Sequence, residues 1–428
     1  MSVSPKSTAL AILVIVSAAS LLGFGCRRPQ GGLGDSTSQK LVVWGLWQES
    51  ADMDAVVKAF QEQTGVGVEY KKIGSVATYE KTLLGALAEG RGPDVFVIHH
   101  TWIEGKRGLL SPAPSEVINL RQLKDEFVSV VEEDVVRDGL IYALPTSVDT
   151  LGLYYNQDLL SAAGVARPPR TWQDFQRTIE SITKVSRLGI IEQSGAAIGT
   201  ASNVNRAGDI LQLLMIQSGL DVIGSTGRID IDNEAGEKAL IFYTDFSNKS
   251  KKVYTWDLTQ DFSIDAFAAG KTAIMLNYSY HLPTLKAKNP RLRFGIAPMP
   301  QIADSTPVTF ASYWPFAVSP SSQAPQAAWQ FVRFLTSAPI AQIINDAQGA
   351  PPALRESIVA ARSNPELGVF ADQALLATSW PRVDIVATDA IFNAMIDEVV
   401  TGSITVKDAL RRAQDQLQQL IPNDANPS

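Results

Sequence analysis

The chain has 428 residues, of which 45% are hydrophobic and 19% are charged. This suits a globular protein of two domains, of roughly 150 to 200 residues each. Its 44 acidic and 37 basic residues give a net charge of −7 without a basic stripe, so nucleic acid is not an expected partner. The single cysteine, Cys26, excludes an internal disulfide framework.

The first 25 residues have the pattern of a secretory signal. Lys6 supplies a positive charge, residues 9–19 are apolar, and small residues precede Cys26. Residues 22–26 also resemble the bacterial lipobox, whose cysteine is lipidated after cleavage. Residues 26–39 are polar and rich in Gly and Ser, which is typical of a flexible tether. A plain secretory signal and an uncleaved N-terminal anchor remain the alternatives.

From residue 40 onward, strands alternate with helices. Residues 41–44 predict a strand buried on both faces, and the apolar spacing in 53–60 predicts a helix that ends at Gly65. A strand is expected near 66–71, a helix over 78–89 and a second buried strand over 95–98. Such alternation favours an α/β sheet with crossover helices.

Residues 144–156 join a proline-marked turn to an apolar, β-rich run, with Asp149 at the junction. This pattern fits two interpretations. The segment can carry the chain from one lobe to another, as hinge and binding site together, or it can be an ordinary buried strand after a loop.

A second α/β series follows. No segment after the N-terminal signal offers about 18 uninterrupted apolar residues, so the rest of the chain is not expected to cross a membrane. Helices are predicted over 172–182, 209–218, 235–247 and 324–336, with two more in 388–421 separated at Gly402; strands are predicted over 272–276, 293–297 and 316–319. Residues 422–428 form a tail.

Several catalytic and metal signatures fail on particular residues. Gly270-Lys271-Thr272 ends like a phosphate loop, but the glycine required five residues earlier is Asp265. No Gly-x-Ser-x-Gly elbow exists. His99 and His100 are adjacent, and in a strand their side chains would point to opposite faces, which is poor geometry for a chelate. No metal site and no cofactor are therefore predicted.

Aromatic and polar residues follow the ends of predicted strands, where the loops of α/β sheets form ligand crevices. Trp47 and Gln48 follow the first strand, Trp102 follows a later one, and Tyr280 follows another. An exposed aromatic ring offers a flat apolar face to a sugar, and the surrounding polar groups can bind its hydroxyls. This combination indicates a carbohydrate ligand.

Five segments occur in an order that resembles a known family: residues 93–110, 142–156, 267–275, 329–336 and 400–410. Together they resemble the extracellular solute-binding proteins of family 1, the sugar-binding receptors of ABC importers that include maltose-binding protein. The resemblance implies a two-lobed α/β fold, of the periplasmic-binding-protein-like type II, that closes around its ligand by hinge motion. The implied N-lobe comprises 40–148 and about 301–348. The implied C-lobe comprises 149–300 and about 349–421.

The resemblance also places ligand contacts on particular residues. Asp149 matches a pivot acid that accepts sugar hydroxyls, and Tyr280 matches an aromatic platform. The other implied contacts lie in loops or beside the crossings, and they are Trp47, Gln48, Glu49, Thr101, Trp102, Asn203, Asn205, Arg206, Tyr313, Trp314, Trp380 and Arg382.

The function expected from this resemblance is that of an exported receptor, lipid-anchored to the outer face of a bacterial cell membrane. As a monomer, it would bind a mono- or oligosaccharide and hand it to a membrane permease without bond chemistry. Two alternatives remain. The ligand can be another small polar solute, such as a polyamine or phosphate ester. A secreted glycan-degrading enzyme would need two carboxylates roughly 5 to 10 Å apart across the ligand, for which Asp149 with Glu49 or Glu104 is a candidate pair.

Overall fold

The computed structural model describes residues 40–222, 228–380 and 382–421. The predicted signal, the lipidation site at Cys26, the tether and the tail lie outside the described residues. None of the described helices is long and apolar enough to span a bilayer.

The first hydrophobic core is built on a five-stranded sheet. Strands β1, β2 and β3 are parallel, because helices return the chain to the same edge of the sheet. Within residues 40–148 the elements are β1 (Lys40–Gly45), α1 (Ser50–Thr64), β2 (Gly67–Lys72), α2 (Val76–Ala88), β3 (Val95–Val97), α3 (Trp102–Lys106), a 3₁₀ turn (Arg107–Leu109), α4 (Leu120–Glu126), α5 (Ser129–Val135), β4 (Val136–Arg137), β5 (Leu140–Ile141) and β6 (Ala143–Leu144).

The second core surrounds another five-stranded sheet, in the order β12-β8-β11-β10-β9. Only β10 and β11 pair in parallel in this sheet. Between residues 149 and 308 the elements are β7 (Asp149–Thr150), β8 (Gly152–Asn156), α6 (Gln157–Ala162), α7 (Trp172–Ile182), β9 (Lys184–Val185), β10 (Ile191–Ala197), α8 (Ala207–Gln217), α9 (Glu234–Asp245), α10 (Ser263–Ala268), β11 (Thr272–Asn277), a 3₁₀ turn (Ser279–His281), α11 (Leu282–Lys288) and β12 (Phe294–Ala297).

The last part of the chain contributes to both cores. Strand β14 completes the first sheet, where it runs antiparallel to β3 and β6. The remaining elements are β13 (Thr309–Ser312), β14 (Phe316–Val318), α12 (Pro325–Leu335), α13 (Ala338–Gln348), α14 (Arg355–Ala361), α15 (Gly368–Ala374), β15 (Ala377–Thr378), α16 (Ile385–Val400) and α17 (Val406–Leu420).

Local sequence explains where these helices begin and end. Helix α1 ends at Gly65, whose positive φ of 74° suits a residue without a side chain and whose N–H donates to Gln61 O at 2.8 Å. Helix α7 begins at Thr171, whose Oγ1 accepts from the Asp174 N–H at 3.1 Å. The predicted apolar stripe of α7, from Trp172 to Ile182, is buried in the second core.

The chain passes between the two cores three times, and the three passages pair with one another. Val148 packs in the first core and Leu151 in the second; Phe310 and Ala311 divide in the same way, as do Ala377 and Trp380. The short strands at these points form a three-stranded sheet in the order β15-β13-β7. The two lobes are thus joined by a small sheet of their own.

Two of these passages lie away from the implied lobe boundaries. The first lies at β7, directly after the implied boundary at residue 148: Val148 packs in the first core, and its N–H donates to Pro351 O at 3.2 Å. The second lies near 310 and not near 300, because Ile302 and Val308 pack against the second core. The third lies near 378 and not near 349, because Ala353, Leu354 and Ile358 are buried in the first core.

Candidate functional site

A cavity of about 570 Å³ is lined by residues of both cores and by the sheet that joins them. Phe310, Ala311 and Ser312 of β13 contribute to its lining, and Asp149 of β7 pairs with Ser312. The cavity therefore lies where the two lobes are connected, so a ligand bound in it would contact both lobes and the joining strands.

The wall formed by the first core is aromatic, and Trp314 is its centre. Four rings meet Trp314 nearly edge-on, with centroid distances of 6.0 Å for Trp47, 6.2 Å for Tyr79, 5.2 Å for His99 and 5.3 Å for Trp102. Edge-to-face contacts of this kind fix ring orientation. Trp47 is 46% exposed despite its contact with Trp314, so the wall offers a rigid apolar surface to the cavity.

The loop after β1 carries Trp47, Gln48 and Glu49, and Tyr70 holds it in place. The Tyr70 hydroxyl donates to Gln48 O at 2.9 Å. A side chain at Gly45 would overlap the Tyr70 ring, so the end of β1 requires glycine here. Glu49 forms an ion pair with Lys72 of β2. Strand β2, which lies beside β1 in the first sheet, therefore positions this loop.

The histidine pair lies just beyond β3, at the back of the aromatic wall. Its rings were expected on opposite faces of a strand, but β3 ends at Val97 and their centroids are 4.4 Å apart. His99 Nδ1 lies 2.8 Å from Thr101 Oγ1, and its Nε2 lies 3.2 Å from Ser312 Oγ. Burial keeps the pKa of His99 well below its usual range, so the ring is neutral.

His100 and Tyr313 form a stacked pair on the same side of the cavity. Their ring centroids are 4.4 Å apart with an interplanar angle of 8°. The Tyr313 hydroxyl donates to Asp134 Oδ2 at 2.6 Å, and His100 Nδ1 lies 2.9 Å from the same oxygen. Among the described residues, no group of three or more His, Cys, Asp or Glu side chains is arranged to hold a metal ion.

Asp149 lines the cavity but is only 8% exposed, and four donors surround its carboxylate. Oδ1 accepts from the N–H of Thr150 at 2.8 Å and of Ser279 at 3.2 Å. Oδ2 accepts from Ser279 Oγ at 2.8 Å and from the Tyr280 N–H at 3.3 Å. Burial nevertheless raises the pKa of Asp149 to about 6. Its carboxylate thus ties the first crossing strand to the turn that presents Tyr280.

The wall formed by the second core carries Tyr280 and Arg206. Tyr280 is 43% exposed and stacks on Tyr278, with ring centroids 5.6 Å apart. The Arg206 guanidinium lies 5.7 Å and 5.6 Å from the Tyr278 and Tyr280 ring centroids, within the range of cation–π contacts. A planar polar group and an exposed ring therefore lie side by side in this wall.

Beneath this wall lies a buried ionic cluster centred on Arg382, which is 5% exposed. Arg382 forms an ion pair with Asp209, another with Asp389 at 3.0 Å, and donates to Gln212 Oε1 at 2.8 Å. Asp209 also accepts from the Tyr278 hydroxyl at 2.9 Å. The cluster fixes Tyr278, on which Tyr280 stacks.

Of the residues predicted as ligand contacts, most line this cavity: Trp47, Gln48, Glu49, Thr101, Trp102, Asp149, Arg206, Tyr280, Tyr313, Trp314 and Arg382. Asn203 and Asn205 do not. Asn203 Nδ2 donates to Asp257 O and Gln260 O, and Asn205 Oδ1 accepts from Asn277 at 3.0 Å, so both hold the loop that carries Arg206. Trp380 is fully buried against Phe392.

Other cavity residues were not predicted from the sequence. Tyr278 lies two residues before the predicted Tyr280, and nothing in the sequence indicates that the two rings stack. Glu80, Ser312 and Gln348 come from helix α2, strand β13 and the end of α13. Gln348 directly precedes Gly349, a left-handed helix end with φ 62°. This helix end is the feature that could have indicated a loop beside the site.

Comparisons with known proteins agree with this architecture. A family described as bacterial extracellular solute-binding protein matches residues 44–342. A probable ABC transporter-binding protein of Deinococcus radiodurans is 24% identical over 287 residues, which cover 65% of this chain and 67% of that protein. A maltotriose-binding protein of Pyrococcus abyssi is 26% identical over 273 residues, which cover 61% of this chain and 54% of that protein. This chain thus spans about half the length of the latter.

Among solved structures, an ABC transporter solute-binding protein from Thermotoga lettingae, bound with alpha-D-tagatose, superimposes with a TM-score of 0.71 at 21% identity. The superposition covers 90% of this chain and 100% of that one. It confirms the predicted α/β fold of two lobes.

Proposed function

The chain belongs to the bacterial extracellular solute-binding proteins, and on that basis we propose that it is the receptor of an ABC importer, which binds a mono- or oligosaccharide in the interlobe cavity. The ligand would pass unchanged to a membrane permease. The named relatives support this proposal, since one is a transporter-binding protein and another binds maltotriose.

The observation that carries this proposal is the pairing of aromatic and polar groups in one cavity. Trp47 and Tyr280 are both partly exposed and come from different lobes. Their faces suit the apolar C–H surface of sugar rings, and Gln48, Thr101 and Arg206 supply hydrogen-bonding groups beside them. A cavity of about 570 Å³ lies within the range typical of small-molecule sites.

The proposal is tested by titrating the purified protein with neutral malto-oligosaccharides while tryptophan fluorescence is recorded. Saturable quenching is expected, because Trp47, Trp102 and Trp314 line the cavity and a bound ligand would change their surroundings. Trp47→Ala should weaken binding roughly fivefold, since an aromatic contact contributes about 1 kcal/mol. Phe262→Ala, which removes an exposed ring that does not line the cavity, is the matched control.

Recovery of the ligand after long incubation distinguishes a receptor from a glycan-active enzyme. Intact oligosaccharide is expected, and any cleavage product would overturn the receptor proposal. The ligand would instead be another polar solute if neither neutral nor acidic saccharides bind and a polyamine or a phosphate ester raises the melting temperature.

We further propose that the protein acts as a monomer, tethered to the outer face of the cell membrane through Cys26. The support is the signal-like segment before Cys26 and the polar stretch that follows it. Cys26→Ala should move the protein from the membrane fraction to the soluble fraction of cells, and Cys26→Ser provides an independent replacement of the thiol. Persistent membrane association of both variants would favour an uncleaved N-terminal helix.

A further inference from the structure

Arg206 has an unusual backbone conformation for its residue type. Its φ of 63° and ψ of 26° are left-handed, and the other non-glycine residues with positive φ in the described part of the chain are Asp138 and Asp304. Aspartate tolerates this region because its short side chain bonds locally, whereas arginine has no such compensation. Strain of this kind persists where the surroundings impose it, and it concentrates at ligand sites.

The hydrogen bonds of the preceding loop impose this left-handed conformation on Arg206. Asn203 donates to two backbone carbonyls and accepts from Trp256 Nε1 at 3.0 Å. Asn205 N–H donates to Ser263 Oγ at 2.9 Å. The loop therefore fixes Arg206 at the start of α8, with its side chain in the cavity wall.

The guanidinium of Arg206 lacks an ion-pair partner among the described residues, and its Nε is buried without an acceptor. Asp209 and Asp389 are the carboxylates that stabilise its charge, yet both are bonded to Arg382. Apart from its contact with the Tyr280 side chain, the guanidinium is therefore available to an anionic group that enters the cavity.

The other acids that line the cavity do not cancel this preference. Glu49 is paired with Lys72, and Glu80 is paired with Lys106 at 2.9 Å. The Asp149 carboxylate already accepts hydrogen bonds from Thr150, Ser279 and Tyr280. Asp52 lies on the opposite lobe, at the first turn of α1.

We propose that Arg206 is an oxyanion-binding residue and that the ligand is an acidic saccharide whose carboxylate it binds. The inference rests on the proposed function and narrows its substrate class to uronate-containing sugars. A guanidinium presents paired N–H donors that match the two oxygens of a carboxylate. Tyr280, beside it, would receive the face of the same sugar ring.

The test compares each acidic sugar with its own methyl ester, which keeps the shape and removes the charge. Calorimetric titrations would use di-, tri- and tetrasaccharides of gluco-, galacto- and mannuronate, each as acid and as ester. At least one acid is expected to bind about tenfold or more tightly than its ester. That preference should shrink as salt rises.

Arg206→Gly is the most informative variant, because glycine adopts positive φ without strain and folding should be retained. It is expected to weaken binding of the acid about tenfold or more while changing binding of the ester less than about threefold. Arg206→Lys keeps the charge but loses the paired N–H donors, so its affinity for the acid should lie between those of the wild type and Arg206→Gly. Arg291→Gln, which removes an exposed arginine outside the cavity lining, is the matched control.

Each outcome separates this inference from the proposed function. If neutral malto-oligosaccharides bind and no acid exceeds its ester, the inference is overturned and the receptor function stands. Equal weakening of acid and ester by Arg206→Gly would also overturn it, because the arginine would then bind hydroxyls. If no saccharide of either panel binds, both proposals fail.

Discussion

Asp149 connects three parts of the molecule through one side chain. It belongs to a crossing strand, lines the cavity, and accepts hydrogen bonds from the turn that carries Ser279 and Tyr280. With four donors around it, the carboxylate has little capacity left to accept sugar hydroxyls. Its contribution to binding is therefore better explained by positioning Tyr280, which remains a prediction.

The pKa of Asp149 gives a pH dependence that can be measured. Burial raises its pKa from 3.8 to about 6 in the folded protein. Between these values the folded state binds a proton that the unfolded state lacks, so this group lowers the free energy of unfolding as pH rises from 4 to 6. Above pH 6 the cost is complete, and it is about 2 to 3 kcal/mol.

The replacement side chain in the variant Asp149→Asn cannot ionise. The free energy of unfolding of this variant, relative to that of the wild type, should therefore rise by about 2 to 3 kcal/mol between pH 4 and pH 7. Urea unfolding at a series of pH values measures the difference. Asp54→Asn, on the exposed face of α1, is the control for replacing a carboxylate by an amide. A difference between Asp149→Asn and wild type that stays constant with pH would show that burial does not perturb this carboxylate.

Among the helices and strands, the long ones were predictable and the short ones were not. Helix α7 buries one face over three turns, and the residues of strand β1 alternate between buried and half-buried, so both leave a repeat in the sequence. Strands β7, β13 and β15 have only two to four residues, too few for a repeat to emerge. The passages between lobes were therefore placed from motifs alone, and two of them lie elsewhere.

In the candidate site, too, some positions could be predicted from the sequence and others could not. Trp47 follows β1 of the first sheet and Tyr280 follows β11 of the second, and the loops at the carboxyl ends of strands in α/β sheets form ligand crevices, so both positions could be predicted. Asn203 and Asn205 had the same polar character, but the Asn203 amide donates to backbone carbonyls of its own lobe and the Asn205 amide oxygen accepts from Asn277. Sequence does not distinguish these two uses of an asparagine, because both satisfy the same hydrogen-bonding groups.

The molecule as a whole couples its ligand site to its joint. The two cores are connected by three short strands, and two of these strands, β7 and β13, also line the cavity. A hinge needs only a few residues whose backbone angles change. A ligand that contacts Trp47 on one lobe and Tyr280 on the other would favour the closed arrangement, because it gains contacts there that the open one lacks.

We therefore expect the radius of gyration in solution to decrease when a saccharide binds. Small-angle X-ray scattering would be recorded with and without the tightest ligand of the titration panels, at saturation. Trp47→Ala, at a ligand concentration that saturates only the wild type, should keep the scattering of the free protein. The change in the radius of gyration of Trp47→Ala at a saturating ligand concentration would show whether closure needs the aromatic wall. If the wild type binds its ligand fully and its scattering stays constant, the joining sheet is rigid and the lobes do not close.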